Sequence, residues 1–325
     1  MTPPARVCHP GTHVRIGFNT WSIATVPYQA FIPGLAEIGY RAIAISVVPG
    51  YTIGGTYVPN AASLDVLSAD DRRRIRDELT ARDLALPSVI GNQSLVHDDA
   101  DRNAAAMARL RASIDLCVEL ALKDQPVPTL NTGIAGHSGE LEAKRELVLD
   151  RLGGLTRYAA ERGVVMCIEP HVGGAIDTME RAEWLVQAVS SPHLRLDFDV
   201  SHFEVQGIPF SESVPRLAPL AAAAEIKDQL ARPPKAHSDW IEGNGSGEST
   251  DPNGQPLKFQ FLLGGEGDFD VAGYLKLMHA HGFDEPISFE ASVQCQARPG
   301  YDGLAEARRT FRWMADGWRA AGLGE

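Results

Sequence analysis

Val164–His202 reads VVMCIEPHVGGAIDTMERAEWLVQAVSSPHLRLDFDVSH. Val164–Glu169 is a mostly apolar run closed by an acid. A glycine-containing connection leads to Met179–Val189, where apolar residues recur at three-to-four spacing beside charged ones, as on one face of a helix. Leu194–Asp199 is a second apolar run, again closed by an acid. Strand, helix and strand in this order form a βαβ unit. Runs with little polar alternation suit strands buried on both faces, as in a parallel sheet.

The same alternation continues in both directions. Strands are expected at Val14–Phe18, Ala42–Val48, Ala85–Gly91, Val127–Thr132, Val164–Glu169, Leu194–Asp199, Ala222–Lys227 and Pro286–Ala291. Helical periodicity is clearest over Asp70–Arg82, Asp101–Leu122, Glu140–Glu161, Met179–Val189, Val271–His281 and Asp302–Ala321. Eight βα units predict an α/β protein with a single-domain (β/α)8 TIM barrel over residues 14–321. The structural competitor is an open doubly wound sheet, but no GxGxxG follows the first strand as its dinucleotide-binding form requires. Two connections exceed ordinary turns: Pro49–Ala69 after the second strand, and the insertion 229–268 after the seventh. The insertion contains Trp240, the glycine-rich Gly243–Gly254, Phe259 and Phe261, and reads as either a substrate lid or a surface insertion.

Composition narrows the function. The chain has 325 residues, 44% hydrophobic and 22% charged, and a formal charge of -12. That charge disfavours nucleic acid and anionic membrane surfaces, which are bound through basic patches. No apolar run approaches the ~20 residues of a membrane span. Met1–His13 lacks the pattern of a secretory signal, so a cytoplasmic location is expected. Cys8, Cys117, Cys167 and Cys295 are too scattered for a disulfide framework and are expected to be reduced, packing thiols. A small-molecule ligand fits best, with a homo-oligomer as the default assembly.

The acids at the strand ends carry the chemistry. Glu169, Asp199, Glu225 and Glu290 fall at or near the ends of strands five to eight, so one rim of the barrel gathers four carboxylates. Crowded carboxylates repel or take up protons unless a cation compensates them. All-oxygen ligation predicts a hard divalent metal, Mn2+ or Mg2+. A single acid at a strand end is more often a helix cap or an ion-pair partner; four on consecutive strands favour the metal. Residues two apart share a strand face. Glu169 therefore points with His171, Asp197 with Asp199, and Glu225 with Lys227, while His202 follows Asp199 by three. His171, His202 and Lys227 are candidate contacts for substrate oxygens. The alternatives are surface positions for the histidines, and pairing with Asp197 or Asp228 for Lys227.

Several short motifs occur in order: Ile16-Gly17-Phe18, Ile168-Glu169-Pro170-His171, Asp199-Val200-Ser201-His202, Glu225-Ile226-Lys227-Asp228, Gly264-Gly265-Glu266-Gly267-Asp268-Phe269-Asp270 and Ile287-Ser288-Phe289-Glu290. In this order the chain resembles the xylose isomerase-like superfamily, specifically the sugar phosphate isomerase/epimerase group that includes hydroxypyruvate isomerase and the ketose 3-epimerases. The resemblance implies a metal held by Glu169, Asp199, position 225 and Glu290, with Glu169 and Glu290 doubling as acid and base. Position 225 departs from the pattern, carrying Glu where relatives hold a histidine ligand. The end of strand two, Ile45-Ser46-Val47, departs too, since relatives often carry an acid there.

The expected function is thus a divalent-metal-dependent isomerase or epimerase acting on a sugar or keto-sugar derivative through an enediolate, with His202, Lys227, His171 and Arg298 on substrate oxygens. The alternative on the same scaffold is a lyase, a dehydratase or a deglycosylating enzyme on 3-keto-sugars. An apurinic endonuclease-like repair enzyme is more remote, because the rim has few histidines and the chain is acidic. A non-catalytic barrel is disfavoured by the presence of both Glu169 and Glu290.

Overall fold

The computed structural model describes residues 16–230, 247–250 and 256–323. Val14 of the first expected strand, Cys8, Trp240 and much of Gly243–Gly254 lie outside the described residues.

Eight parallel strands close on themselves: β1 Ile16–Asn19, β2 Ala42–Ser46, β3 Ser88–Ile90, β4 Thr129–Thr132, β5 Met166–Ile168, β6 Leu194–Asp199, β7 Ala221–Ile226 and β8 Ile287–Phe289. Each pairs with its sequence neighbours, and Ile16↔Ile287 with Phe18↔Phe289 completes the ring. Among the described residues eight principal helices surround it: α1 Tyr28–Ile38, α2 Ala69–Ala81, α3 Ala100–Glu119, α4 Leu141–Ala160, α5 Met179–Val189, α6 Phe210–Leu217, α7 Val271–Ala280 and α8 Gly303–Ala320. The expected (β/α)8 barrel is therefore observed. Helices α1 and α6 lacked a clear sequence signature; each carries an internal proline, Pro33 and Pro215, which interrupts the periodic reading.

The alternation of each strand separates two environments. Phe18 and Phe289 point out to the helices, where Phe18 meets Tyr40 and Phe289 meets Trp313 of α8. These side chains belong to a hydrophobic cluster that runs between strands and helices. Gly17 and Ser288 point inward and so close together that a Cβ on Gly17 would lie 2.4 Å from Ser288 Oγ. Two residues further along each strand, Asn19 and Glu290 also point inward and are hydrogen-bonded. Apolar packing thus falls outside the ring and polar chemistry inside it.

Both long connections carry structure. Within Pro49–Ala69, Gly50–Ile53 and Thr56–Pro59 form an antiparallel hairpin. In the insertion, Asp228–Gln229 pairs with Phe261–Leu262, and Gly247–Thr250 with Pro256–Phe259. Phe259 and Phe261 are buried with Val172 and Val205, so this part of the insertion is packed onto the barrel. The Gly264–Asp270 turn follows. Asp228 accepts hydrogen bonds from the amides of Gly265 (2.9 Å), Gly267 (2.8 Å) and Phe269 (3.4 Å). Asp270 caps α7 through Gly273 N–H. No helix among the described residues is long and apolar enough to cross a membrane. Among the described residues, Cys117, Cys167 and Cys295 are buried and form no disulfide.

Candidate active site

The strand ends gather five carboxylates, because the inward parity of β5 to β8 continues one residue past β5 and β8. Asp197 and Asp199 come from β6, Glu225 from β7, and Glu169 and Glu290 from the residues following β5 and β8. Between β6 and β7 the register skips, from Leu196↔Ala221 to Asp197↔Ala223. Such irregularities re-aim side chains near sites, and here the skip brings Asp199 level with Glu225.

One connected polar path crosses the rim. His202, in the one-turn helix Ser201–Glu204, places Nε2 3.1 Å from Glu169 Oε1 and 3.5 Å from Asp199 Oδ2. The Ser201 amide donates to Asp199 Oδ1 at 2.9 Å. Lys227 Nζ donates to Asp199 Oδ2 and lies 3.2 Å from Glu290 Oε1. Asn19 Nδ2 then donates to Glu290 Oε2 at 2.9 Å and to Glu225 Oε1 at 2.6 Å. Its own Oδ1 accepts from Trp21 N–H at 2.9 Å, which fixes the amide's orientation. Deeper in the barrel, Asn131 Nδ2 donates to Asp197 Oδ2 at 2.7 Å, while Asp197 Oδ1 is buried without a partner. Phe261 roofs the path, meeting the His202 ring edge-on at 5.3 Å, with Lys227 Nζ 5.6 Å from its ring centre.

The electrostatics follow from this wiring. Burial raises the Asp199 carboxyl, but the Lys227 charge and the His202 ring outweigh it and hold it well below the usual range. Burial likewise raises Glu169, and the hydrogen bond from His202 leads the effects that bring it below its ordinary value. Lys227 is pulled down by burial and pushed up further by Asp199, Glu290, Glu169 and Glu225, so it stays an ammonium. Burial raises Glu290, and Lys227 offsets only part of that. Glu225 and Asp197 are raised well above the carboxylate range, first by burial and then by neighbouring acids, which favours their protonated forms. The His171 ring packs against that of His202, with centres 3.9 Å apart and planes tilted by 39°, and bonds the Val172 carbonyl through Nδ1 at 2.9 Å. Desolvation of its packed side and the His202 ring lower it, an effect that water tempers because the residue is exposed.

The ligand atoms of Glu169, Asp199 and His202 all lie within 4.8 Å of one another, so these three could hold a metal ion. Two carboxylates and an imidazole form a donor set that suits a divalent cation. His202 Nδ1 is buried without a hydrogen-bond partner, leaving Nε2 as the nitrogen turned toward both acids. Of the four expected metal acids, Glu169 and Asp199 are in this group; Glu290 lies outside it, linked to Asp199 by Lys227, and Glu225 is tied to Glu290 by Asn19. Lys227 pairs with Asp199 and Glu290, whereas its non-functional alternatives were Asp197 and Asp228. Arg298 forms a two-pronged pair with Glu266, at 2.8 and 2.7 Å, and is not part of the rim path. Cys295 is buried against the Phe261 carbonyl, as befits a bystander.

Sequence reading missed Asn19, although it lies two residues after the inward Gly17 and shares its face. It also missed Asn131 as a partner for Asp197, and it left open, between a lid and a surface insertion, whether the segment that contains Phe261 covers the site. Beside Glu169 the loops after β3, β4 and β5 enclose a cavity of about 440 Å³, with Asn92, Gln93, Ser94 and His171 among its polar walls. That volume lies in the range of small-molecule sites.

Comparison with known proteins agrees with this architecture. The sequence profile of the xylose isomerase-like TIM barrel family matches residues 32–316. No curated protein sequence matches the chain. Among solved structures, D-psicose 3-epimerase in the presence of D-fructose superposes with a TM-score of 0.69 at 12% identity, covering 95% of this chain and 100% of that one. The 3-keto-D-glucoside 4-epimerase YcjR from E. coli gives 0.67 at 13% identity, covering 94% and 100%. A xylose isomerase-like TIM barrel protein from Mycobacterium smegmatis in complex with magnesium gives 0.61 at 16%, covering 95% and 97%. At these identities the structural likeness speaks for the fold. With the profile spanning most of its length, the chain belongs to the xylose isomerase-like TIM barrel family.

Proposed function

We propose that the protein is a divalent-metal-dependent isomerase or epimerase that moves a proton on a carbon beside a carbonyl of a sugar or keto-sugar derivative. The observation that carries this reading is the polar path Glu169–His202–Asp199–Lys227–Glu290, with an acid at each end that could serve as proton donor or acceptor. Glu169 or Glu290 removes the α-proton and the other returns one, a division of labour that suits carboxyls in differing environments. His202, His171 and Lys227 orient substrate oxygens. Arg298 would join them with N–H groups not spent on Glu266. Phe261 and the buried neighbours of the path limit water at the reacting carbon.

Glu169 and Asp199, with His202 Nε2, are the group that could hold the ion, and Glu225 and Glu290 would complete it. Their oxygens favour Mn2+ or Mg2+. When bound, such an ion polarises the carbonyl and stabilises the negative charge that develops on its oxygen. The epimerase neighbours and the magnesium-bound one support the reaction class and the metal.

The test is exchange of solvent deuterium. Protein loaded with Mn2+ or Mg2+ is incubated in D2O with a panel of ketoses, aldoses and 3-keto-glycosides, and the products are read by NMR. Deuterium at a carbon beside the carbonyl, abolished by EDTA, is the expected result. Release of water or an aglycone would replace the isomerase with a lyase. Absence of exchange from metal-loaded protein across the panel would overturn the reading.

A further inference from the structure

Resting on that reading, we propose that the cavity beside Glu169 receives the non-reacting end of an uncharged, unphosphorylated sugar. Its polar wall consists of the carboxamides of Asn92 and Gln93, the hydroxyl of Ser94 and the exposed His171 ring, together with the backbone of residues 133–136 and 173–176. These groups donate and accept hydrogen bonds without net charge, which matches sugar hydroxyls. No lysine or arginine is among the residues that line the cavity, so the lining offers a phosphate no full positive charge.

Several of the backbone amides around the cavity, and the cations behind it, are already taken up in holding the loops together. The Gly133 amide donates to Asn92 Oδ1, that of Gln93 to Thr132 Oγ1, that of Gly174 to the His171 carbonyl, and that of Ala175 to the Ala135 carbonyl. The cations behind the wall hold the loop after β3 by its carbonyl oxygens. Arg151 donates to Leu95 O at 2.5 Å and His97 O at 3.1 Å, and Lys144 to Val96 O at 2.7 Å. Drawing either toward a ligand would undo the loop that forms the cavity. Gly136, at φ +81°, lets the β4 loop close against Val96, since a Cβ there would sit 2.9 Å from Val96 Cγ2. The same loop contacts that shape the cavity therefore keep these two cations out of it.

The test reads the cavity's charge preference directly. Ser94→Cys places a thiol in the wall, and Val66→Cys, at a position 58% exposed on the surface, serves as reference. Each variant is treated with neutral methyl, anionic sulfonatoethyl and cationic trimethylammonioethyl methanethiosulfonates, and the wild-type rate is subtracted. Relative to the neutral reagent, and normalised to position 66, the anionic reagent should react at least about tenfold more slowly at position 94. Equal or faster anionic modification overturns the proposal. In a second arm D-fructose and D-fructose 6-phosphate compete for the site, and better protection by the phosphate ester also overturns it. The two readings fail differently. If no sugar exchanges deuterium, the isomerase reading falls while the reagent ratio still reports on the cavity; an inverted ratio defeats the present proposal whatever the exchange shows.

Discussion

Lys227→Met removes one ammonium from the rim and keeps most of the aliphatic stem, so the cost reports on charge more than on packing. Lys227 is 2% exposed. Its Nζ bonds Asp199 and lies 3.2 Å from Glu290. At that distance one pair of unit charges interacts by about 5 kcal/mol for an effective dielectric constant near 20, opposed by several kcal/mol of desolvation per ion. Removing one member of a buried pair typically costs about 3–5 kcal/mol, since the remaining charges lose their counterion. That is the expected loss in urea unfolding at pH 7.5 with EDTA present. The sign of the pH dependence follows from the two shifts. Lys227 is raised, so its contribution is present below the ordinary lysine pKa and fades only as pH rises through the folded value. Asp199 is lowered, so its contribution is present above the ordinary aspartate pKa and fades as pH falls through the folded value. The pair therefore contributes a constant amount between about pH 5 and pH 10. Without the ammonium, Asp199 and Glu290 face each other unscreened and bind protons more tightly folded than unfolded. The variant should then gain on the wild type as pH falls from 7.5 to 5, closing more than half the gap. A loss under about 1 kcal/mol, or a gap that does not change with pH, would refute the electrostatic account of Lys227.

Four further outcomes are expected. Glu290→Gln should leave unfolding near wild type while slowing substrate proton exchange by about 100- to 10,000-fold, because the amide keeps the shape but cannot act as a base; wild-type exchange rates would return Glu290 to a structural role. Glu225→His should shift relative metal affinity toward Zn2+ or Co2+ if position 225 is a ligand; a metal titration matching wild type beside weakened substrate binding would place Glu225 on the substrate. Mn2+ affinity, followed by electron paramagnetic resonance between pH 6 and pH 8, should rise with pH, because the raised carboxyls of Glu225 and Asp197 favour protons that a cation must displace; a flat profile would contradict those shifts. Gly267→Ala should destabilise by about 2 kcal/mol or more, since its Cβ would lie 2.2 Å from Gln229 O and 2.4 Å from Asp228 Oδ1; unchanged urea midpoints would mean that the turn yields cheaply.

How much was legible in the sequence differs between the barrel and its mouth. Leu194–Asp199 and Met179–Val189 were read to the residue, because burial on both strand faces and a capped amphipathic helix leave strong local signals. Ala85–Gly91 was read too long. Pro87 has no N–H to donate, so regular pairing starts at Ser88, and Ala85 makes only an isolated bridge to Ala42. Parity correctly put Glu169, Asp199, Glu225, Lys227 and Glu290 on one face. It could not choose partners across strands, because the register between β6 and β7 skips a residue just where Asp197 and Asp199 compete for Lys227. Phe261 reaches His202 through an antiparallel pair formed by distant residues of the insertion, a contact with no local periodic signature.

Glu225 shows why a substitution at one family position cannot be read alone. A histidine there would be neutral or cationic, whereas glutamate adds a fifth carboxylate to a mouth whose buried lysine is already shared by Asp199 and Glu290. The surrounding residues answer that addition. Asn19 donates to Glu225 and Glu290 together, joining them by one amide whose orientation Trp21 N–H fixes. Burial and the neighbouring acids favour the protonated form of Glu225, so in the absence of a cation its extra negative charge need not be borne. A bound ion would reverse the balance, favouring the carboxylate and competing with Asn19 for its oxygen. With no ion bound, Glu225 is coupled to Glu290 through Asn19, so a change at position 225 reaches the proposed proton-transfer acid even where Glu225 never touches the substrate.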